Sequence, residues 1–165
     1  MKYLLIFLSL ISLCNAGTID PQAKDSDHIS YGSKHKCVLP IVGKMDAKEP
    51  TFFKASCVMI DEYHALTAAH VVYNSLNQAV LYNDGAYFAK KVIIHEKFNH
   101  KPMESYDIAI VVLSKSLKLD FYPELYDQND EKNKICSIAG YGIAGNFKTG
   151  YMYPLSDGKK RAGSN

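Results

Sequence analysis

The chain has 165 residues, of which 47% are hydrophobic and 22% charged, and its formal net charge is +2. This length and composition fit a globular domain of ordinary size. A net charge so close to zero argues against a nucleic-acid partner and against an anionic membrane surface. We therefore expect a partner that is recognised by shape and local chemistry.

The first sixteen residues have the pattern of a secretory signal peptide. Lys2 supplies a positive start, residues 4–13 form a short apolar core, and Cys14 and Ala16 are small residues at the cleavage-recognition positions. The apolar run is too short to span a membrane. A lipoprotein signal anchored through Cys14 is the alternative. We expect residues 1–16 to be removed, leaving a secreted or periplasmic chain with no membrane attachment.

Three cysteines follow that segment, namely Cys37, Cys57 and Cys136. An odd number in an oxidising compartment implies a free thiol, an intermolecular bond or a missing partner. Cys37 and Cys57 fall on two adjacent predicted strands and could face each other. A Cys37–Cys57 pair is therefore one hypothesis for these two thiols.

The next part of the chain is a series of short strands. Residues 17–30 are polar and predict a mobile leader, whereas residues 31–113 contain six runs rich in aromatic and β-branched residues, separated by turn residues. Residues 83–85 (Asn-Asp-Gly) form a strong hairpin signal because glycine accepts a positive φ. Since no segment with helical periodicity is longer than about two turns, the pattern predicts an all-β antiparallel barrel. The predicted strands span residues 37–42, 51–60, 65–67, 78–82, 86–96 and 107–113, and a helical turn is predicted at 68–73.

Residues 114–165 differ in character from the predicted barrel. Residues 114–133 are polar and charged, which is typical of a linker that passes over a surface. Residues 134–165 begin a further unit, with a strand leading into Gly140-Tyr-Gly142 and a hairpin near Ser156.

Two motifs carry the candidate chemistry. His70 ends the run Leu-Thr-Ala-Ala-His after an apolar strand, and Asp107 opens the run Asp-Ile-Ala-Ile at the head of another strand. With Gly140-Tyr-Gly142 downstream, these motifs resemble, in sequence and in order, the trypsin/chymotrypsin-like serine proteases. Val71 stands after His70 where animal relatives have a cysteine, so the resemblance is closer to secreted bacterial members.

The resemblance implies two six-stranded Greek-key barrels with an active site between them, of which this chain contains the first and the beginning of the second. His70 would be the general base, and Asp107 would hold its ring in one tautomer. The resemblance also implies a polypeptide substrate. Relatives often pair a cysteine near the position of Cys136 with one in the second half, so Cys136 would pair with a cysteine beyond residue 165.

The nucleophilic serine of the family, in Gly-Asp-Ser-Gly-Gly, does not occur in this sequence. Neither Ser156 nor Ser164 has the following glycine pair that opens an oxyanion hole, and both are interpreted as turn residues. We therefore expect the N-terminal part of a secreted serine endopeptidase, inactive as given. The alternative is a non-enzymatic binding module or an inactive homologue on the same scaffold.

No cofactor or metal is expected. The remaining histidines, including His64, His95 and His100, do not have the spacing of a zinc site. Residues 29–32 (Ile-Ser-Tyr-Gly) resemble the start of mature bacterial members, and a cut before Ile29 is one hypothesis for activation.

Overall fold

A computed structural model describes residues 22–48, 52–100, 106–142, 145–146, 150–151 and 157–164. The predicted signal peptide and Ser156 lie outside these residues. No helix in the described ranges is long and apolar enough to cross a bilayer. The elements are α1 (Asp25–Lys34), β1 (Val38–Lys44), β2 (Phe53–Met59), β3 (His64–Thr67), α2 (Ala69–Val72), β4 (Leu76–Tyr82), β5 (Gly85–Ile94), β6 (Ala109–Leu113), β7 (Ser137–Tyr141), β8 (Gly145–Asn146), β9 (Gly150–Tyr151) and β10 (Lys160–Ser164).

The first six strands form a closed barrel in the order β1-β2-β3-β6-β5-β4, with every neighbouring pair antiparallel. Strand β6 shows why the sequence folds this way, since Ala109, Val111 and Leu113 are buried and the residues between them are less so. This alternation places one apolar face inside the barrel. The predicted antiparallel six-stranded barrel is therefore confirmed.

The barrel core continues beyond the last barrel strand. The largest fully buried side chains include Ile41, Met59, Val80 and Leu113, each of which contributes about 1.5–3 kcal/mol by leaving water. Leu117 is also fully buried, and its N–H donates to the Glu62 carbonyl at 2.7 Å. The segment predicted as a surface linker over 114–133 thus begins as a packed part of the core.

The hairpin between β4 and β5 has its turn at Asn83 and Asp84, as the sequence indicated. The positive φ of 50° belongs to Asn83, however, and Gly85 is the first residue of β5, paired with Tyr82. Asparagine tolerates the left-handed region because its short polar side chain bonds locally. The glycine is therefore not the residue that permits the turn.

Helix α1 stands where the sequence analysis expected a mobile leader up to residue 30. Arg161 of β10 binds the Asp25 carboxylate with two nitrogens, at 2.6 and 2.8 Å. Gly32 lies so close to β10 that an added Cβ would be 2.6 Å from the Lys160 carbonyl oxygen. These contacts are remote in sequence, so a local polar composition did not reveal the helix.

Strand β7 pairs with β10 in a separate two-stranded sheet, and Ser56 is one of the residues that join this sheet to the barrel. Ser56 of β2 accepts a hydrogen bond from the Tyr141 N–H at 2.7 Å and donates one to the Tyr141 carbonyl at 3.1 Å. A Cβ at Gly140 would be 2.8 Å from the Ser56 hydroxyl oxygen. The first glycine of the Gly-Tyr-Gly motif therefore leaves room for this contact.

The predicted Cys37–Cys57 pair is wrong, because both thiols are free and buried. Cys57 stands opposite Leu39 in the β1–β2 ladder, whereas Cys37 accepts the Met59 N–H at 2.9 Å. The two cysteines are therefore diagonal neighbours, a relation in which residues typically stand roughly 7–8 Å apart with their Cβ atoms somewhat closer. A disulfide needs a closer approach. Burial raises the pKa of the Cys57 thiol to about 12.

Candidate active site

The barrel brings the two candidate residues together through the pairing of β3 with β6. Thr67 at the end of β3 is the register partner of Ala109 at the start of β6. His70 follows Thr67 by three residues, in the short helix α2, and Asp107 precedes Ala109 by two. Two positions separated by 37 residues in the chain are thus placed at the same end of two neighbouring strands.

His70 and Asp107 are joined by two hydrogen bonds. The His70 ring bonds through Nδ1 to the Asp107 Oδ2 at 2.6 Å, and the His70 backbone N–H donates to the Oδ1 at 2.8 Å. The bond to a carboxylate assigns the proton to Nδ1, because a carboxylate only accepts. The Nε2 atom has no hydrogen bond to any described residue, and the imidazole side chain is 47% exposed. That nitrogen is consequently available to a further group.

The Asp107 carboxylate is kept ionised by its partners. Burial alone would raise its pKa, but hydrogen bonds from the His70 ring and from the backbone N–H groups of His70 and Ala69 outweigh that effect. The pKa of Asp107 is therefore lowered below the ordinary 3.8. The Asp107 side chain is 23% exposed, so it is less accessible to water than the His70 side chain, which is 47% exposed.

The residues that lead up to His70 are small and buried, so the backbone of β3 and α2 packs closely against the rest of the barrel. Ala65 and Ala69 are fully buried, and Thr67 donates its hydroxyl to the Ser56 carbonyl at 2.9 Å. A larger side chain at Ala69 would displace the turn that carries His70. The small residues that precede His70 are therefore a packing requirement of the pair.

The structure also brings aromatic residues to the pair that the sequence analysis did not connect with it. Tyr106 directly precedes Asp107, and its ring stacks on His95 with centroids 4.7 Å apart. Tyr73 follows α2 and stacks on His100 at 5.1 Å. The sequence analysis weighed His95 and His100 only as metal ligands. No sequence pattern indicated that they stack on tyrosines.

The other residues weighed in the sequence lie elsewhere. His64 bonds to Asp61, three residues away, at 2.8 Å. Ser164 was interpreted as a turn residue but lies in β10, paired with Ser137. Within the described ranges, no group of three or more His, Cys, Asp or Glu side chains could hold a metal ion.

A groove of about 520 Å³ lies between the barrel and the β7–β10 sheet, and it is separate from the His–Asp pair. Its lining includes Lys36, Lys54 and Tyr141 but neither His70 nor Asp107. The His70 imidazole is nearly half exposed, so another segment or a substrate has access to the pair.

The closed six-stranded antiparallel barrel has the architecture of the trypsin-like fold, and His70 and Asp107 lie in contact at one end of it. The family model described as Trypsin matches residues 32–165. The chain therefore belongs to the trypsin family. A comparison with curated proteins finds no match.

Solved structures show the same fold. A structure described as GrC has a TM-score of 0.59 and 15% identity over 79% of this chain and 60% of that one. The scabies mite inactivated protease paralogue S-D1 has a TM-score of 0.59 and 17% identity over 81% and 57%. HL collagenase has a TM-score of 0.54 and 16% identity over 77% and 56%. The chain thus spans between 56% and 60% of the length of these similar structures.

Proposed function

We propose that this chain supplies the general base and the orienting carboxylate of a secreted trypsin-like serine endopeptidase that hydrolyses polypeptides. The observation that carries the proposal is the contact of 2.6 Å between the His70 Nδ1 and the Asp107 Oδ2. It leaves Nε2 as the atom that exchanges a proton with the reacting groups. Membership of the trypsin family supports the same reaction class.

In the proposed mechanism, His70 Nε2 accepts the proton of a serine hydroxyl as that oxygen attacks the scissile carbonyl. The same nitrogen then returns the proton to the leaving amine. Asp107 accepts the Nδ1–H throughout, so the ring keeps one tautomer and the imidazolium is stabilised by an adjacent negative charge. The lowered pKa of Asp107 supports this role, because the carboxylate stays charged at neutral pH.

The nucleophile and the oxyanion hole are proposed to come from a continuation of the unit that begins with β7. The 165 residues contain no Gly-Asp-Ser-Gly-Gly motif, and Ser164 is held in the β7–β10 ladder. Without the serine and the oxyanion donors, the pair alone loses several orders of magnitude in rate. We therefore expect the chain as given not to cleave peptides.

An inactive homologue on the same scaffold is the second candidate. One of the similar structures is described as an inactivated protease paralogue, which shows that the fold occurs without the activity. The intact geometry of His70 and Asp107 favours the enzyme, because a scaffold used only for binding does not require either bond. Activity therefore distinguishes the two candidates.

Secretion and a disulfide of Cys136 are part of the proposal. The signal-peptide pattern over residues 1–16 supports export. The Cys136 thiol is exposed and free, so it is accessible to a cysteine outside this chain.

Helix α1 bears on the activation hypothesis, since Ile29 lies within it. A cut before Ile29 would require that helix to unfold, and this counts against an activating cut there.

The test uses the product of the entire reading frame that contains this chain. Hydrolysis of a fluorescent casein and labelling by a fluorophosphonate are measured for the wild type and for His70→Ala, with His64→Ala as the matched control. We expect His70→Ala to lose at least about a thousandfold in rate and His64→Ala to keep it. Hydrolysis that persists in His70→Ala would refute the assigned base. A product with no cleavage and no labelling would favour the inactive homologue.

A further inference from the structure

The residue before Asp107 has an unusual backbone conformation. Tyr106 has a φ of 59°, in the left-handed region. The other non-glycine residues with positive φ in the described ranges, at positions 74, 77, 83 and 133, are all asparagines. An aromatic residue pays a steric penalty in this region that asparagine largely avoids. Such a conformation persists only where its surroundings enforce it.

Contacts from the segment after β5 enforce it. The Tyr106 ring stacks on His95 with centroids 4.7 Å apart and ring planes 18° apart. The Lys97 ammonium lies 5.5 Å from the centroid of the Tyr106 ring. His95 is itself fixed, since its Nδ1 accepts the Lys97 N–H at 3.1 Å and its own N–H donates to the Ile108 carbonyl at 3.1 Å.

These contacts bracket the aspartate on both sides. Tyr106 precedes Asp107 and Ile108 follows it, and the Ile108 N–H donates to the Tyr106 carbonyl at 2.8 Å, closing a tight turn around the aspartate. The direction of the Asp107 side chain is therefore set by a turn whose two flanking residues both contact His95.

The same segment reaches the helix that carries His70. Tyr73 closes α2, because its N–H donates to the Ala69 carbonyl at 2.8 Å. Its ring stacks on His100 with centroids 5.1 Å apart and meets the Phe98 ring edge-on at 5.6 Å. One segment, residues 95–100, thus contacts both Tyr106, which directly precedes Asp107, and Tyr73, which lies three residues after His70.

We infer that residues 95–100 position the His70–Asp107 pair by stacking on Tyr106 and Tyr73, and that His95 is the principal positioning residue. The inference rests on the proposed function, because positioning matters to a rate only if the pair is catalytic. Neither His95 nor Tyr106 bonds to the His70 ring, so both act through the backbone of the turn.

The experiment measures the pair directly, without a proteolytic assay. In the purified chain, NMR follows the exchange with water of the His70 Nδ1 proton that is bonded to Asp107. We expect His95→Ala to accelerate this exchange roughly two- to tenfold, the range that corresponds to the loss of one aromatic stack. His95→Phe retains a stacking ring and should stay within about twofold of the wild type. His64→Ala is the control histidine.

A second comparison links the effect to the tyrosine. In a Tyr106→Asn background, which accepts the left-handed φ without a ring to stack, His95→Ala should cause no further acceleration. If the proton exchanges too fast to observe, the ¹⁵N shifts of the His70 ring report the same tautomer. These shifts should change in His95→Ala and stay close to the wild-type values in His95→Phe and His64→Ala.

Unchanged exchange in a folded His95→Ala variant would overturn the inference. Equal acceleration in His95→Ala and His64→Ala would also overturn it, because the effect would then be a general loss of stability. If instead the whole product fails to cleave peptides while His95→Ala still perturbs the pair, the proposed function fails and the positioning contact stands.

Discussion

The contact between Ser56 and the Gly-Tyr-Gly motif allows a quantitative prediction about the attachment of the β7–β10 sheet. The Ser56 hydroxyl makes two hydrogen bonds to Tyr141, of 2.7 and 3.1 Å. Ser56→Ala removes both and leaves the Tyr141 N–H without this partner, at an expected cost of about 1–3 kcal/mol. Gly140→Ala should cost a similar amount, because its new methyl would lie 2.8 Å from the same oxygen and displace it.

The two substitutions should not be additive. In a Ser56→Ala background, the methyl of Gly140→Ala meets only the Ser56 Cβ, at 3.6 Å, which is an ordinary contact. The double variant should therefore be about as stable as Ser56→Ala alone, so that its destabilisation is about 1–3 kcal/mol smaller than the sum of the two single effects. Gly163→Ala is the matched control, since the nearest atom to its Cβ is 4.0 Å away.

Native-state amide hydrogen exchange is the appropriate assay, because it reports the opening of β7 and β10 separately from the opening of the barrel. The protection of the Ile138 and Arg161 amides, which fall in the alternate pairs that share hydrogen bonds across the β7–β10 ladder, should fall in both single variants, while that of Val111 in the barrel should change little. Additivity within about 0.5 kcal/mol, or an effect of Gly163→Ala as large as that of Gly140→Ala, would refute the steric reasoning.

Three further predictions concern the pair, the thiols and the first helix. Asp107→Asn should cost about 1–3 kcal/mol at neutral pH through lost charge-assisted bonds. Because the folded pKa of Asp107 is lowered, this difference should be complete above pH 3.8 and shrink as the pH falls further, as measured by urea unfolding with His70 unchanged. Iodoacetamide at pH 8 should label Cys136 in the native chain and Cys57 only after unfolding, and rapid native labelling of Cys57 would contradict its burial. Gly32→Ala should release α1 from β10, because a backbone carbonyl blocks the methyl at 2.6 Å; proteolysis within residues 25–34 should accelerate, and unchanged resistance would argue against the clash.

The barrel could be predicted from the sequence because its signals are local. Alternating buried positions such as Ala109, Val111 and Leu113, bounded by turn residues, fix both the strand and the face that it buries. The pairing of His70 with Asp107 followed from the resemblance of two motifs, and the structure places the two side chains in contact. The strand pattern and the family resemblance both indicated the arrangement that the structure has around His70 and Asp107.

Features that depend on remote contacts could not be predicted. Helix α1 is held by Arg161, more than one hundred residues away, so its own polar sequence indicated a leader. The prediction of a Cys37–Cys57 disulfide was wrong because the register partner of Cys57 is Leu39, two residues after Cys37. The sequence does not reveal the register of two paired strands. The stack of His95 on Tyr106 depends on the course of a loop, which no periodicity describes.

The barrel has a consequence for the order in which this protein is made. All six barrel strands, together with both members of the His–Asp pair, fall between residues 38 and 113. A ribosome therefore releases every strand of the barrel and both residues of the His–Asp pair before it reaches β7. Since domains fold as units during synthesis, with the N-terminal one first, the nascent chain can close the barrel and bring His70 and Asp107 into contact before β7 and β10 have been made.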